Sequence, residues 1–211
     1  MEMYREVYKI IAQCNEVIVN FGDKASDPQY ASMVAEAKFW RAYSYYKLQN
    51  AFGAVPLLKG GENLEEGVER TDVNAILSFV ETEMKAIETV LPASQTQDNY
   101  GRPSKYAVKA FMARYYLNKK DWANASKYAK DVIDNSGATL QTNYHDVFKN
   151  DGNSEIILAI THVAQSGKGN KYVALSLDGT LRDALGIKGV AASNGYGMSN
   201  YFYNTFATND K

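Results

Sequence analysis

Cysteine is all but missing from this 211-residue chain. The lone Cys14 excludes an intrachain disulfide, and a chain without disulfides is compatible with any redox compartment. Histidine is nearly as scarce: His145 and His162 flank a turn-rich segment, and no spacing resembles a zinc site. They read as a loop residue and a strand-end residue. No excess of charge exists either, since 23 Lys and Arg face 24 Asp and Glu for a net charge of -1. That balance leaves no electrostatic footprint for nucleic acid or an anionic lipid surface. No apolar run is long enough to span a membrane as a helix, and the opening MEMYREVYKI lacks the basic and apolar regions of a signal peptide. A cytosolic chain, a removed leader and a fragment all fit that opening.

Catalytic constellations are missing as well. Gly60-Gly61 stands in an acidic loop without a GK[ST] sequence, so it makes no phosphate cradle. No G-x-S-x-G elbow occurs. Glu65-Glu66 and the Glu81/Glu83 pair belong to a solvated loop and a helix surface, without the apolar framing that would raise a carboxyl pKa for glycosidase chemistry. Asn150-Asp151-Gly152-Asn153 lacks the register and closing Glu of a calcium loop and reads as a turn. Neither an enzyme nor a cofactor is implied.

What the chain does have is aromatic rings, 16 Tyr, 8 Phe and 2 Trp, in a composition 45% hydrophobic and 22% charged. Those fractions suit a globular protein. Val7, Ile10, Ile11, Cys14, Val17, Ile18 and Phe21 follow helical spacing and predict an amphipathic helix over 4–21. Asp27-Pro28 has the form of an N-cap followed by Pro at the first helical position, opening a helix over 27–50. Thr71 or Asp72 caps a third helix, 73–91, ended by Pro92. Two more are predicted at 104–118 and 121–135, joined by a short turn at Lys119-Lys120. Small residues (Ala107, Ala110, Ala113, Ala125, Ala129) let this last pair approach closely, with Tyr115, Tyr116, Trp122 and Tyr128 filling the space, so Trp122 is expected to be buried between them.

The hairpin has the small-large alternation of a degenerate tetratricopeptide (TPR) repeat, and 27–50 with 73–91 forms a possible second pair. The fold class expected is therefore mainly α: irregular TPR-like helical pairs over 1–137, then a short strand at 155–162 and a coil-rich segment within 138–211 of the same domain. In that segment, NGYGMSNYFYNTF gathers Tyr196, Tyr201, Phe202, Tyr203 and Phe206 beside Asn and Gly. Exposed rings next to amides suit stacking on sugars; packing in a coil-rich core is the plainer reading of any one ring.

Three ordered blocks carry a family resemblance. Ala35, Glu36, Ala37, Phe39, Arg41, Ala42, Tyr45 and Leu48, followed by Phe52, Gly53, Val55, Pro56 and Leu57, resemble the signature of the SusD/RagB family. GRPSKYAVKAFMARYYL is similar to that family's next helix, and DWANASKYAKDVIDNSG with NSEIILAI to the helix and strand after it. The leading helix, with Asn15, agrees too. Arg41, Gly53, Pro56, Gly101 and Arg102 read as architecture within these blocks. The resemblance implies a truncated, amino-terminal part of a non-catalytic outer-membrane lipoprotein on the extracellular face of Bacteroidota cells. Such a protein binds an oligosaccharide, or sometimes a peptide, and caps a SusC-like TonB-dependent transporter; its lipid anchor is absent from this chain. Ligand residues vary within the family, which leaves Tyr196, Tyr201 and Tyr203, and beyond them Tyr4, as candidates. The competing readings are a TPR-type protein- or peptide-binding scaffold and a small glycan-processing enzyme.

Overall fold

The computed structural model describes residues 2–63, 65, 67–95, 97–149, 152–161, 179–184, 186 and 204–205. The chain divides into two compact units, Met1–Ile160 and Thr161–Lys211. The first holds α1 (Glu2–Phe21), α2 (Pro28–Phe52), α3 (Val73–Ile87), α4 (Lys105–Asn118), α5 (Trp122–Asn135) and the single turn α6 (Asp146–Lys149). In the second, the described helix is α7 (Gly179–Ala184). None of the described helices is long and apolar enough to cross a membrane.

α2, α3, α4 and α5 each begin where a side chain satisfies one of the first free amides. Asp27 accepts from the Gln29 amide at 2.9 Å, Asp72 from Asn74 at 2.8 Å, Ser104 from Ala107 at 3.2 Å and Asp121 from Asn124 at 3.1 Å. α2 ends at Gly53, whose positive φ of 70° suits glycine and whose amide returns to the Gln49 carbonyl. α3 stops at Ile87, short of the predicted Leu91. The amides of Val90 and Leu91 close a turn on the Ile87 carbonyl, and Leu91 is buried from that turn rather than from the helix.

α2 is the central element. It packs on α1 along one side and α3 along the other, while α4 and α5 form an antiparallel hairpin that meets α3. Phe39, Ala42, Tyr45 and Leu48 of α2, Ile11 of α1 and Ile76, Val80, Met84 and Ile87 of α3 form one continuous core with Val108, Met112 and Tyr115 of α4. Arg41 crosses this core with 5% of its surface exposed. Its guanidinium bonds Glu83 Oε2 of α3 at 2.6 and 3.0 Å, Asn15 Oδ1 of α1 at 2.8 Å and the Lys59 carbonyl at 3.3 Å, and lies over the Phe79 ring. A second polar seam joins α3 to α4. Glu81 accepts from the hydroxyls of Tyr116 at 2.8 Å and Tyr115 at 3.1 Å, and from Lys85 and Lys119.

Two expectations are corrected. Trp122 is 62% exposed, not buried. As the first residue of α5 it lies along the outer face of the hairpin with Ala113, Leu117 and Ala129, while Tyr115 and Tyr116 occupy the inner face. The apolar run from Glu155 forms no strand among the described residues. A strand needs a partner for its backbone groups, and here Ile157 and Leu158 instead lay their side chains against the helical core. The polar architecture expected of Arg41 and Arg102 is present: Arg102 Nε pairs with Glu36 at 2.8 Å.

Arg41→Ala should cost about 3–5 kcal/mol in denaturant unfolding, because the buried Asn15 and the half-buried Glu83 would lose their partner. The α3–α4 seam predicts acid sensitivity. Burial raises the Glu81 pKa, but the bonds from Lys85, Tyr116, Lys119 and Tyr115 outweigh it and bring it from 4.5 to about 2. A depressed carboxyl stabilises the fold above its unfolded pKa and loses that contribution as pH falls through its folded pKa. The melting temperature should therefore decline between pH 4.5 and about 2, and more shallowly in Glu81→Gln.

Candidate aromatic recess

The segment after α2 is positioned by side chains reaching up from the helices. Tyr45, fully buried, both donates to the Leu58 carbonyl at 2.8 Å and accepts the Leu58 amide at 2.7 Å. Asn15 Nδ2 donates to the same carbonyl at 3.0 Å. The Tyr8 hydroxyl donates to the Pro56 carbonyl at 2.6 Å. On the far side, the Thr71 amide donates to the Val55 carbonyl in an isolated antiparallel bridge, which brings the end of the acidic loop back beside α2. Gly60 is required where the loop passes α1: its φ is +101°, and a Cβ there would stand 2.8 Å from Val19 Cγ2.

These anchors enclose a recess of about 230 Å3 lined by Tyr4, Tyr8, Pro56, Leu58 and Val68. Tyr4 packs on Tyr8 with ring centroids 4.8 Å apart, and edge-on against Phe52 at 5.2 Å. Tyr8 in turn meets Tyr45 edge-on at 6.4 Å. The rings thus form a chain from the core to the surface. Tyr45 is sealed, Tyr4 and Tyr8 are half-buried, and Phe52 is 40% exposed. Burial, then the bond with Tyr4, pushes the Tyr8 hydroxyl well above the usual phenol range, so it stays a neutral donor. An array of flat, uncharged rings beside backbone carbonyls can hold the apolar face of a ligand.

Of the four candidate residues, Tyr4 lies in this recess. Tyr196, Tyr201 and Tyr203 lie outside the described residues, as does His162. His145 is exposed. Among the described residues, no three or more His, Cys, Asp or Glu side chains gather as they would around a metal ion. Glu62 closes its own loop by accepting from the amides of Lys59 and Gly60. Tyr8 and Phe52 were not singled out from the sequence as site residues. They are 44 positions apart by their numbers, and Phe52 carries the family-like signature, which reads as scaffold.

Residues 1–117 match the SusD-like family described as "Starch-binding associating with outer membrane". SusD-like protein P25 of Formosa agariphila is 29% identical over 165 residues, 75% of this chain and 31% of that protein. The starch-binding protein SusD of Bacteroides thetaiotaomicron is 32% identical over 147 residues, 64% of this chain and 26% of its own. Among solved structures, a laminarin-binding SusD-like protein is 26% identical with a TM-score of 0.69, covering 74% of this chain and 36% of that one. A structure with xylogluco-oligosaccharide, 24% identical, shares the fold at a TM-score of 0.71 over 83% of this chain and 39% of its own. The chain spans about a third of the length of the curated relatives it matches.

Tyr8→Phe should lower stability by about 1 kcal/mol in denaturant unfolding, the value of one hydrogen bond, while the rings stay in place. An unchanged midpoint would show that the Pro56 carbonyl finds another donor.

Proposed function

The chain belongs to the SusD-like family, and on that premise we propose that it is the helical scaffold of a non-catalytic, cell-surface glycan-binding protein. It delivers oligosaccharide to a SusC-like TonB-dependent transporter from the extracellular face of the outer membrane. Within it, 1–137 serves as the TPR-like scaffold and 138–211 as the loop segment of the same domain. The observation that carries this reading is the ring chain Tyr45–Tyr8–Tyr4–Phe52, open to solvent at Phe52 and built on residues that match the family. The sugars named with its relatives, starch, laminarin and xylogluco-oligosaccharide, supply the ligand class to test. A glycan stacks on such rings through C–H and dispersion contacts, and no bond is broken. The proposal also takes Tyr196, Tyr201 and Tyr203 as ligand residues.

A second reading, a TPR-type scaffold for a protein or peptide, draws on the exposed apolar side chains of the hairpin, Leu117, Trp122 and Ile133. Binding of a protein in place of any glycan would favour it.

Isothermal titration with oligosaccharides from starch, laminarin and xyloglucan should give a binding signal for at least one, with no hydrolysis products on chromatography. Phe52→Ala should weaken that binding about five- to tenfold, as expected for one ring worth roughly 1 kcal/mol, with the helical circular dichroism signal intact. Tyr201→Ala/Tyr203→Ala should weaken it further. Unchanged affinity in both variants would sink the proposal.

A further inference from the structure

A second groove, sharing no residue with the recess, runs between α2 and α4 beneath residues 155–158 and measures about 510 Å3. Its floor is aromatic. Tyr43, half-buried, stands 6.0 Å from Phe111 between ring centroids, and Phe111 stands 5.1 Å from Tyr46, whose hydroxyl accepts from the Asn118 amide. Its rims are polar and exposed. Lys47 and Asn50 follow one another by about a turn of α2, and Arg114 and Asn118 by about a turn of α4, so each pair shares a helix face.

The cations of this groove differ from those at the helix seams. Cations at the helix seams have carboxylate partners: Arg41 with Glu83, Lys109 with Asp131 and Glu88, Arg102 with Glu36. Among the described residues, neither Lys47 nor Arg114 has an ion pair, although both border the same concavity. The acid that shares the groove, Glu155, has one oxygen taken by the Gln141 amide at 2.9 Å. Two positive charges against one negative leave the groove cationic, and an aromatic floor lowers the local dielectric in which an incoming anion would meet them.

We propose that this groove binds an anionic oligosaccharide, with carboxylate or sulfate groups on Lys47 and Arg114, a sugar ring stacked on Tyr43 and hydroxyls on Asn50. The aromatic floor with amide-bearing rims favours a sugar over an acidic peptide. Peptides dock chiefly by adding a strand to a sheet edge or by seating apolar side chains in pockets. The described residues offer no strand edge here, and the rims are charged and amide-bearing.

The test is titration of the 211-residue chain with oligogalacturonate, which carries carboxylates, with a sulfated carrageenan oligosaccharide, and with a neutral xyloglucan oligosaccharide. Binding of at least one acidic probe is expected, falling as salt rises from about 20 to about 200 mM; which one binds identifies the anionic group. Lys47→Gln/Arg114→Gln replaces two exposed side chains, so circular dichroism should not change. Its affinity for the acidic probe should drop by about tenfold or more, while Phe52→Ala leaves that affinity alone. Any neutral-glycan binding should follow the reverse pattern, so failure here and failure of the recess are told apart. The proposal is overturned if neither acidic probe binds, if the double variant binds it as well as the native chain, or if a polyglutamate peptide binds the groove more tightly.

Discussion

A guanidinium inside the helical unit sets the terms for what surrounds it. Removing Arg41 from water is expensive unless its donors are met by acceptors of good geometry. Four such bonds reach two helices and one loop at once, through Glu83, Asn15 and the Lys59 carbonyl. α1 and α3 therefore cannot slide along α2 without stranding the charge. The Lys59 contact extends the constraint to the segment that follows α2, where Tyr45, Asn15 and Tyr8 fix the carbonyls of Leu58 and Pro56. The recess at Tyr4 is the outer surface of that arrangement. Its rings are held in place by bonds that begin at a buried ion.

The α4–α5 hairpin is attached by different means. Glu81 gathers two tyrosine hydroxyls and two lysines at the α3–α4 seam, while Lys109 ties α4 to α5 through Asp131 and to the end of α3 through Glu88, the residue that follows it. Around these polar points the contacts are aromatic, Tyr46 against Phe111 and Tyr116 against Tyr128. Rings fill uneven space between helices well and have few rotatable bonds to immobilise. The same property equips the half-buried ones, Tyr4, Tyr8 and Tyr43, to meet a sugar. The high tyrosine content serves packing first, and the rings at its edge make the surfaces proposed for ligand.

The sequence by itself determined the five main helices and, for α2 to α5, where they start. Asp27, Asp72, Ser104 and Asp121 mark caps through bonds that span two or three residues, and apolar spacing marks the inward face of α1 and α3; both are local properties. It marked Arg41 as architecture too, through the family-like signature. Which side of a helix would find a partner is not local. Trp122 has the spacing of a core residue, but its side of the hairpin faces outward, so it is exposed. The run from Glu155 has the composition of a strand, but it meets helices and has no described strand to pair with. The meeting of Tyr4, Tyr8 and Phe52, and the placing of Lys47 and Arg114 along one groove, depend on how α1, α2 and α4 are set against one another. Only the tertiary structure decided that, because contacts between distant residues follow from the packing of whole helices and the placement of one buried charge.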